Sequence, residues 1–233
     1  MLEGVGERAV ELFVNLENFT ANERIEYVRQ DDHGAIEERD SSVFDYAFGF
    51  ETRGGGRTSQ EYRTVAKGGH ALSASAQDTG LVALALIFLP SVHSDYTGVA
   101  RAWINGAGSL PMWSVSRKDK EKRGRMLVLR TDRGAFPVML RGRAWISMEN
   151  SQVLHLETNS MSPIPTFKLR SNALAIDYGL VRVHSKNLEL WLPQHLEAYW
   201  EYETYRMVLS HALTDFQVFT VETQERFQPP TPH

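Results

Sequence analysis

Two pairs of residues in this chain have types and spacing that suit metal coordination, His155-x-Glu157 and His195-x-Glu197. Alternate residues of a strand project to the same face, so each pair would present an imidazole beside a carboxylate. On neighbouring strands the two pairs would offer zinc four ligands. A solvated sheet face, with Glu and His alternating outward, accounts for them without a metal and is the default reading. Other reactive arrangements fail on spacing. Ser147, Ser160 and Ser162 stand in no Gly-x-Ser-x-Gly elbow and have no Asp-His pair placed beside them. Gly54-Gly55-Gly56-Arg57 lacks the Lys-Ser/Thr of a phosphate loop and reads as a hairpin turn. Glu201 and Glu203 share a strand face, where outward solvation explains them as well as acid–base chemistry does. The chain has no cysteine, which removes disulfides, thiolate ligands and a cysteine nucleophile. The expectation is a protein with no catalytic group, no metal and no cofactor.

Charge is modest overall and uneven along the chain. The 233 residues carry a net charge of −4. Between Arg117 and Arg143 ten Lys/Arg stand against three Asp/Glu, a local +7 that leaves −11 elsewhere. Arg117, Lys118, Lys120, Lys122, Arg123 and Arg125 concentrate that charge in one stretch, read as a solvated hairpin tip. Used functionally, it would approach anionic headgroups or an acidic partner, at about 1 kcal/mol per charge near a membrane surface. Nucleic acid fits poorly, because the charge sits in one loop with no aromatic platform beside it. The longest apolar run, Leu81 to Leu89, falls far short of the roughly 20 residues that span a bilayer. The start, Met1-Leu2-Glu3-Gly4, reads as no secretion signal.

The elements that must position these residues are mostly strands. Glu3 to Leu16 has helical spacing of Val5, Ala9, Leu12, Phe13 and Leu16. Phe19 to Arg29 alternates toward Ile25 and Tyr27, and Asp31-Asp32-His33-Gly34 supplies a turn. Phe44, Tyr46, Phe48 and Phe50 recur every second residue, which puts four rings on one sheet face. A helix, apolar all round, is expected from about Gly80 to Leu89. Strands are expected over 60–65, 96–105, 110–117, 125–130, 142–148, 152–160, 166–178, 181–185, 189–205 and 207–222, with turns at Tyr178-Gly179 and Lys186-Asn187. About eleven strands and two helices make one mainly β domain over residues 1–227, a strongly curved antiparallel sheet or half-open barrel with a helix in its concave face. Residues 228–233 read as a disordered, proline-rich tail.

Several of these strands carry a resemblance. Phe136-Pro137 with Leu140-Arg141-Gly142-Arg143-Ala144-Trp145-Ile146, Val153-Leu154-His155-Leu156-Glu157, Pro163-Ile164-Pro165 and Trp191-Leu192-Pro193 resemble segments of an uncharacterised family of secreted bacterial proteins. Asn18-Phe19-Thr20 and Phe216 to Val221 fit the same family. More distantly, the order of a Trp-Ile strand, a Val-Leu-x-Leu-Glu strand and a later Trp-Leu-Pro is similar to lipoprotein-sorting proteins of the LolA type. That resemblance implies a half-open β-barrel closed by helices, a periplasmic or secreted setting, and a cavity for the acyl chains of lipoproteins.

Two functions follow as expectations. In the first, the chain binds a lipid-like ligand without catalysis; Phe44, Tyr46, Phe48, Phe50, Leu84, Leu86, Ile87, Phe88 and Trp145 line the cavity, and the basic stretch touches headgroups, a peripheral membrane surface or an envelope protein. In the second, the same fold has a filled core and serves as an interaction module of a larger envelope or extracellular assembly, joined through a sheet edge.

Overall fold

In a computed structural model, residues 2–16, 18–53, 56–72, 96–103, 110–117, 127–131, 134–138, 140–160, 162–183 and 188–219 are described. The chain opens with helix α1 (Leu2–Asn15) and continues as β1 (Asn18–Asp31), β2 (Ile36–Arg53), β3 (Gly56–Val65), β4 (Tyr96–Trp103), β5 (Leu110–Arg117), β6 (Leu127–Thr131) and β7 (Gly134–Val138). Then come β8 (Leu140–Ile146), β9 (Val153–Ser160), β10 (Leu169–Val183), β11 (Leu188–Tyr202) and β12 (Tyr205–Phe219). Ten strands form one antiparallel sheet in the order β3-β2-β1-β12-β11-β10-β9-β8-β5-β4, while β6 and β7 pair separately. The sheet is open, with β3 at one end and β4 at the other.

Sequence alternation decides which face is buried. In β1, Phe19, Ala21, Glu23, Ile25 and Tyr27 point inward and their neighbours outward. Register carries the same face across the sheet: Ala144, Leu156, Ile176, Leu196, His211, Ile25 and Ser42 pair in succession through β8, β9, β10, β11, β12, β1 and β2. Every one of them is buried. Helix α1 adds Val5 and Ala9 to this core, and Leu12 packs against it. A Cβ on Gly4 would lie 2.7 Å from Ser151 Oγ, so a hydrogen there lets the helix come down onto the turn before β9. Arg8 Nε donates to the Asn150 carbonyl at 3.1 Å and fastens the same contact. The β1–β2 turn uses Gly34 at φ 87° and the Asp31 carboxylate, which accepts from the His33 and Ala35 amides.

The structure departs from the sequence reading in a few places. Tyr178-Gly179 is not a turn; β10 runs through it with a register shift between Asp177 and Tyr178, and such a bulge breaks the alternation that marks a strand in sequence. The expected strand start at residue 166 is instead a 3-10 turn, Pro165–Phe167, followed by Lys168 at φ 56°. The short strand β7 carries no strand pattern of its own, because Gly134 and Pro137 stand within its five residues. The expected helix over 80–89 and the tail over 228–233 lie outside the described residues.

Candidate functional site

The aromatic row lies where the alternation puts it. Phe44, Tyr46 and Phe48 are all on the buried face and at most 2 % exposed. Phe19 of β1 completes the cluster, with ring centroids 5.7 Å from Tyr46, 5.3 Å from Phe48 and 5.8 Å from Phe216. Phe50 is paired with Ser59 in the β2–β3 ladder. Trp145 does not share this wall. It pairs with His155 in the β8–β9 ladder, between the buried Ala144 and Ile146, and so projects to the opposite face. Leu84, Leu86, Ile87 and Phe88 lie outside the described residues, as do Lys118, Lys120, Lys122, Arg123 and Arg125. Arg117 ends β5 opposite Tyr96.

Beside the aromatic cluster sits a buried charged group that the sequence reading missed. The Glu23 carboxylate of β1 accepts from Arg63 of β3 through Nε at 2.5 Å and a terminal nitrogen at 3.1 Å. His211 Nδ1 of β12 lies 2.8 Å from the same carboxylate. Glu23 and His211 are fully buried and the Arg63 side chain is 8 % exposed. Burial alone would raise the Glu23 carboxyl; hydrogen bonds from His211 and Arg63 and the Arg63 charge outweigh it and hold it below its ordinary value. Since the carboxylate is ionised, His211 Nδ1 carries the proton and donates. The Arg63 guanidinium also lies over the Tyr46 ring, 5.0 Å from its centroid, with Glu61 at 3.7 Å. Burial, with the Glu61 charge, pushes the Tyr46 phenol well up. Glu23 continues the inward period Phe19-x-Ala21-x-Glu23-x-Ile25-x-Tyr27, and His211 stands between the inward Leu209 and Leu213.

The opposite face brings the two predicted His-x-Glu pairs into one region, though not onto neighbouring strands. His155 and Glu157 are in β9, His195 and Glu197 in β11, and β10 between them contributes Asp177. His155 Nδ1 is 2.6 Å from Asp177 Oδ1, and His195 Nδ1 is 3.7 Å from Asp177 Oδ2. The other nitrogens face outward along the row: His155 Nε2 toward Glu157 at 3.6 Å, His195 Nε2 toward Ser210 Oγ at 3.1 Å. Arg143 holds Glu157 at 2.9 Å, and Trp145 stands edge-on to His155 with centroids 4.7 Å apart.

A third feature is a crevice of about 30 Å³ between α1 and the sheet, lined by Val5, Ala9, Leu12, Val153, Tyr178 and Trp191 among others. It has room for a molecule the size of water and not for an acyl chain. The Tyr178 hydroxyl is buried without a hydrogen-bond partner, and burial pushes its pKa up.

These features define a mainly β protein: an open antiparallel sheet with one apolar face that holds an ion cluster and one polar face that holds a histidine–carboxylate row. No family model matches the chain, and no curated protein matches it. Among solved structures it is similar to the crystal structure of a DUF1329 family protein from Desulfovibrio piger, at 7 % identity over 95 % of each chain with a TM-score of 0.46. Among the described residues no helix is long and apolar enough to cross a membrane.

Proposed function

We propose that the chain binds a lipid-like or otherwise apolar ligand in the cell envelope, without catalysis, against the inner face of its sheet curved as a half-open barrel. The observation that supports this reading is the aromatic wall in which Phe19 makes ring contact with both Tyr46 and Phe48, near the β3 end of a sheet that does not close. Aromatic rings contribute large apolar area at little conformational cost, which suits them to an acyl chain. In this reading Leu84, Leu86, Ile87 and Phe88 complete the wall, and Arg117 with the basic residues after it meets an anionic headgroup or partner. The test is native mass spectrometry of gently purified protein, with solvent extraction of bound material. A discrete added mass that extracts as lipid is the expected result; a clean apo monomer that takes up no added fatty acid rejects the reading.

A second reading rests on burial. The same rings are at most 2 % exposed, which is how a filled core looks. The sheet would then serve as an interaction module, adding a partner strand at β3 or β4. Stable oligomers or complexes without added mass favour it.

A further inference from the structure

The polar face places a serine at the end of the histidine–carboxylate row. Asp177 of β10 is paired with His195 of β11, and His195 with Ala212 of β12. Ser210, two residues before Ala212, shares its face. His195 turns Nδ1 toward Asp177 Oδ2 at 3.7 Å and Nε2 toward Ser210 Oγ at 3.1 Å. A carboxylate on the Nδ1 side favours the tautomer with its proton there, which leaves Nε2 to accept from the serine hydroxyl. Asp177 is itself held from its other side, where His155 Nδ1 stands 2.6 Å from Oδ1. Carboxylate, imidazole and hydroxyl therefore follow the order, and use the ring nitrogens, of an acyl-transfer site, and such sites are recognised by that geometry whatever the fold. The Asp177–His195 separation is an ion-pair distance; without substrate such contacts are often long, and they tighten on binding.

We infer that Ser210 is a nucleophile for acyl transfer, with His195 as its general base and Asp177 as the residue that positions the imidazole. Ser210 Oγ attacks the carbonyl carbon of an activated ester, and the new O–C bond forms as the bond to the leaving oxygen breaks. His195 Nε2 takes the hydroxyl proton and passes it to that departing oxygen. Water, deprotonated by the same nitrogen, then releases the acyl group as a carboxylic acid and restores the serine. The surroundings set the substrate class. Ser210 is paired with Glu197 on one side and Glu26 on the other, so its amide is spent within the sheet and cannot steady an oxyanion. Without that donor the reaction requires a good leaving group, which selects aryl esters over peptide bonds. Ser210 is half-buried, and the His195 and Asp177 side chains are 39 % and 57 % exposed, which leaves the row open to a small ester. The ligand proposed for the inner face binds without this chemistry, since the two lie on opposite sides of the sheet.

The test exposes the full chain to a fluorophosphonate probe and to p-nitrophenyl acetate, and locates any adduct by intact mass and peptide mapping. One adduct per chain, on Ser210, is expected, and none in Ser210→Ala. His195→Ala should slow labelling about 100-fold or more, with circular dichroism unchanged. The shape-preserving Asp177→Asn should slow it about tenfold or more. In the unmodified chain the labelling rate should rise with pH as one group loses its proton, and that step should vanish in His195→Ala. Ser171, a serine of the same face whose hydroxyl donates to Glu201, should carry no adduct. No adduct on the unmodified chain overturns the inference. So does an adduct on another residue, or labelling that His195→Ala leaves unchanged.

Discussion

Carboxylate, histidine and arginine meet twice in this molecule, once on each face of the same sheet, and the surroundings give the two clusters different work. On the inner face Glu23, Arg63 and His211 are shut away from water. Removing charges from water is costly, and their attraction roughly repays the cost only while all partners are present. On the outer face Asp177, His155 and His195 are hydrated, and pairs of that kind contribute about 1 kcal/mol or less. The inner cluster therefore specifies which strands belong together, reaching from β3 across β2 to β1 and β12. The outer one contributes little to the stability of the fold.

The strongest way to break this comparison is to unbalance the inner cluster. Glu23→Gln takes from Arg63 its two-pronged carboxylate partner in the core, leaving the more distant Glu61 at 3.7 Å, and should cost about 3–5 kcal/mol in chemical denaturation. Arg63→Met in the same chain should recover much of that loss, because the buried charge that lost its carboxylate is gone. If the single change proves harmless, the cluster is more hydrated than its burial implies.

Acid should act on the inner face too. Glu23 titrates below its ordinary value of 4.5 in the folded chain. Its contribution is therefore present above that value and is lost as pH falls through the lower, folded pKa. Urea midpoints measured from pH 6 to 3 should fall in that window, and the fall should be shallower in Glu23→Gln. A smaller gain is expected from Tyr178→Phe, which removes a buried hydroxyl with no partner. Stability should rise by about 1 kcal/mol, read as a higher melting temperature. The smallest effect belongs to the outer face: Asp177→Asn should shift the denaturation midpoint by about 1 kcal/mol or less.

Much of the architecture was legible because alternation survives in it. The aromatic row of β2 and the helical spacing of Val5, Ala9 and Leu12 gave their elements and inward faces directly. The ion cluster was harder. Its three members lie on strands whose pairing no local pattern reveals, and Glu23 and His211 occupy inward positions where a carboxylate and an imidazole break the apolar code. The outer row was half visible, as two His-x-Glu pairs. Asp177 was hidden by the bulge beside it, since a turn read at Tyr178-Gly179 ends the strand before its facing is fixed. Trp145 misled for the opposite reason: a large apolar residue suggests an interior wall, yet its register gives it to the polar face.

The bond between His211 and Glu23 joins residues 188 positions apart. During synthesis β1 leaves the ribosome early with its hairpin partner β2 close behind, but its other neighbour, β12, arrives only after everything between has been made. Until then β1 is a bare edge, with unpaired amides and a charged carboxylate waiting for half of its partners. Closing so long a loop costs chain entropy before its contacts repay it, and non-local strand pairing of this kind is slow. The nascent chain is most open to capture by a chaperone, or by another copy of itself, along that unfinished seam.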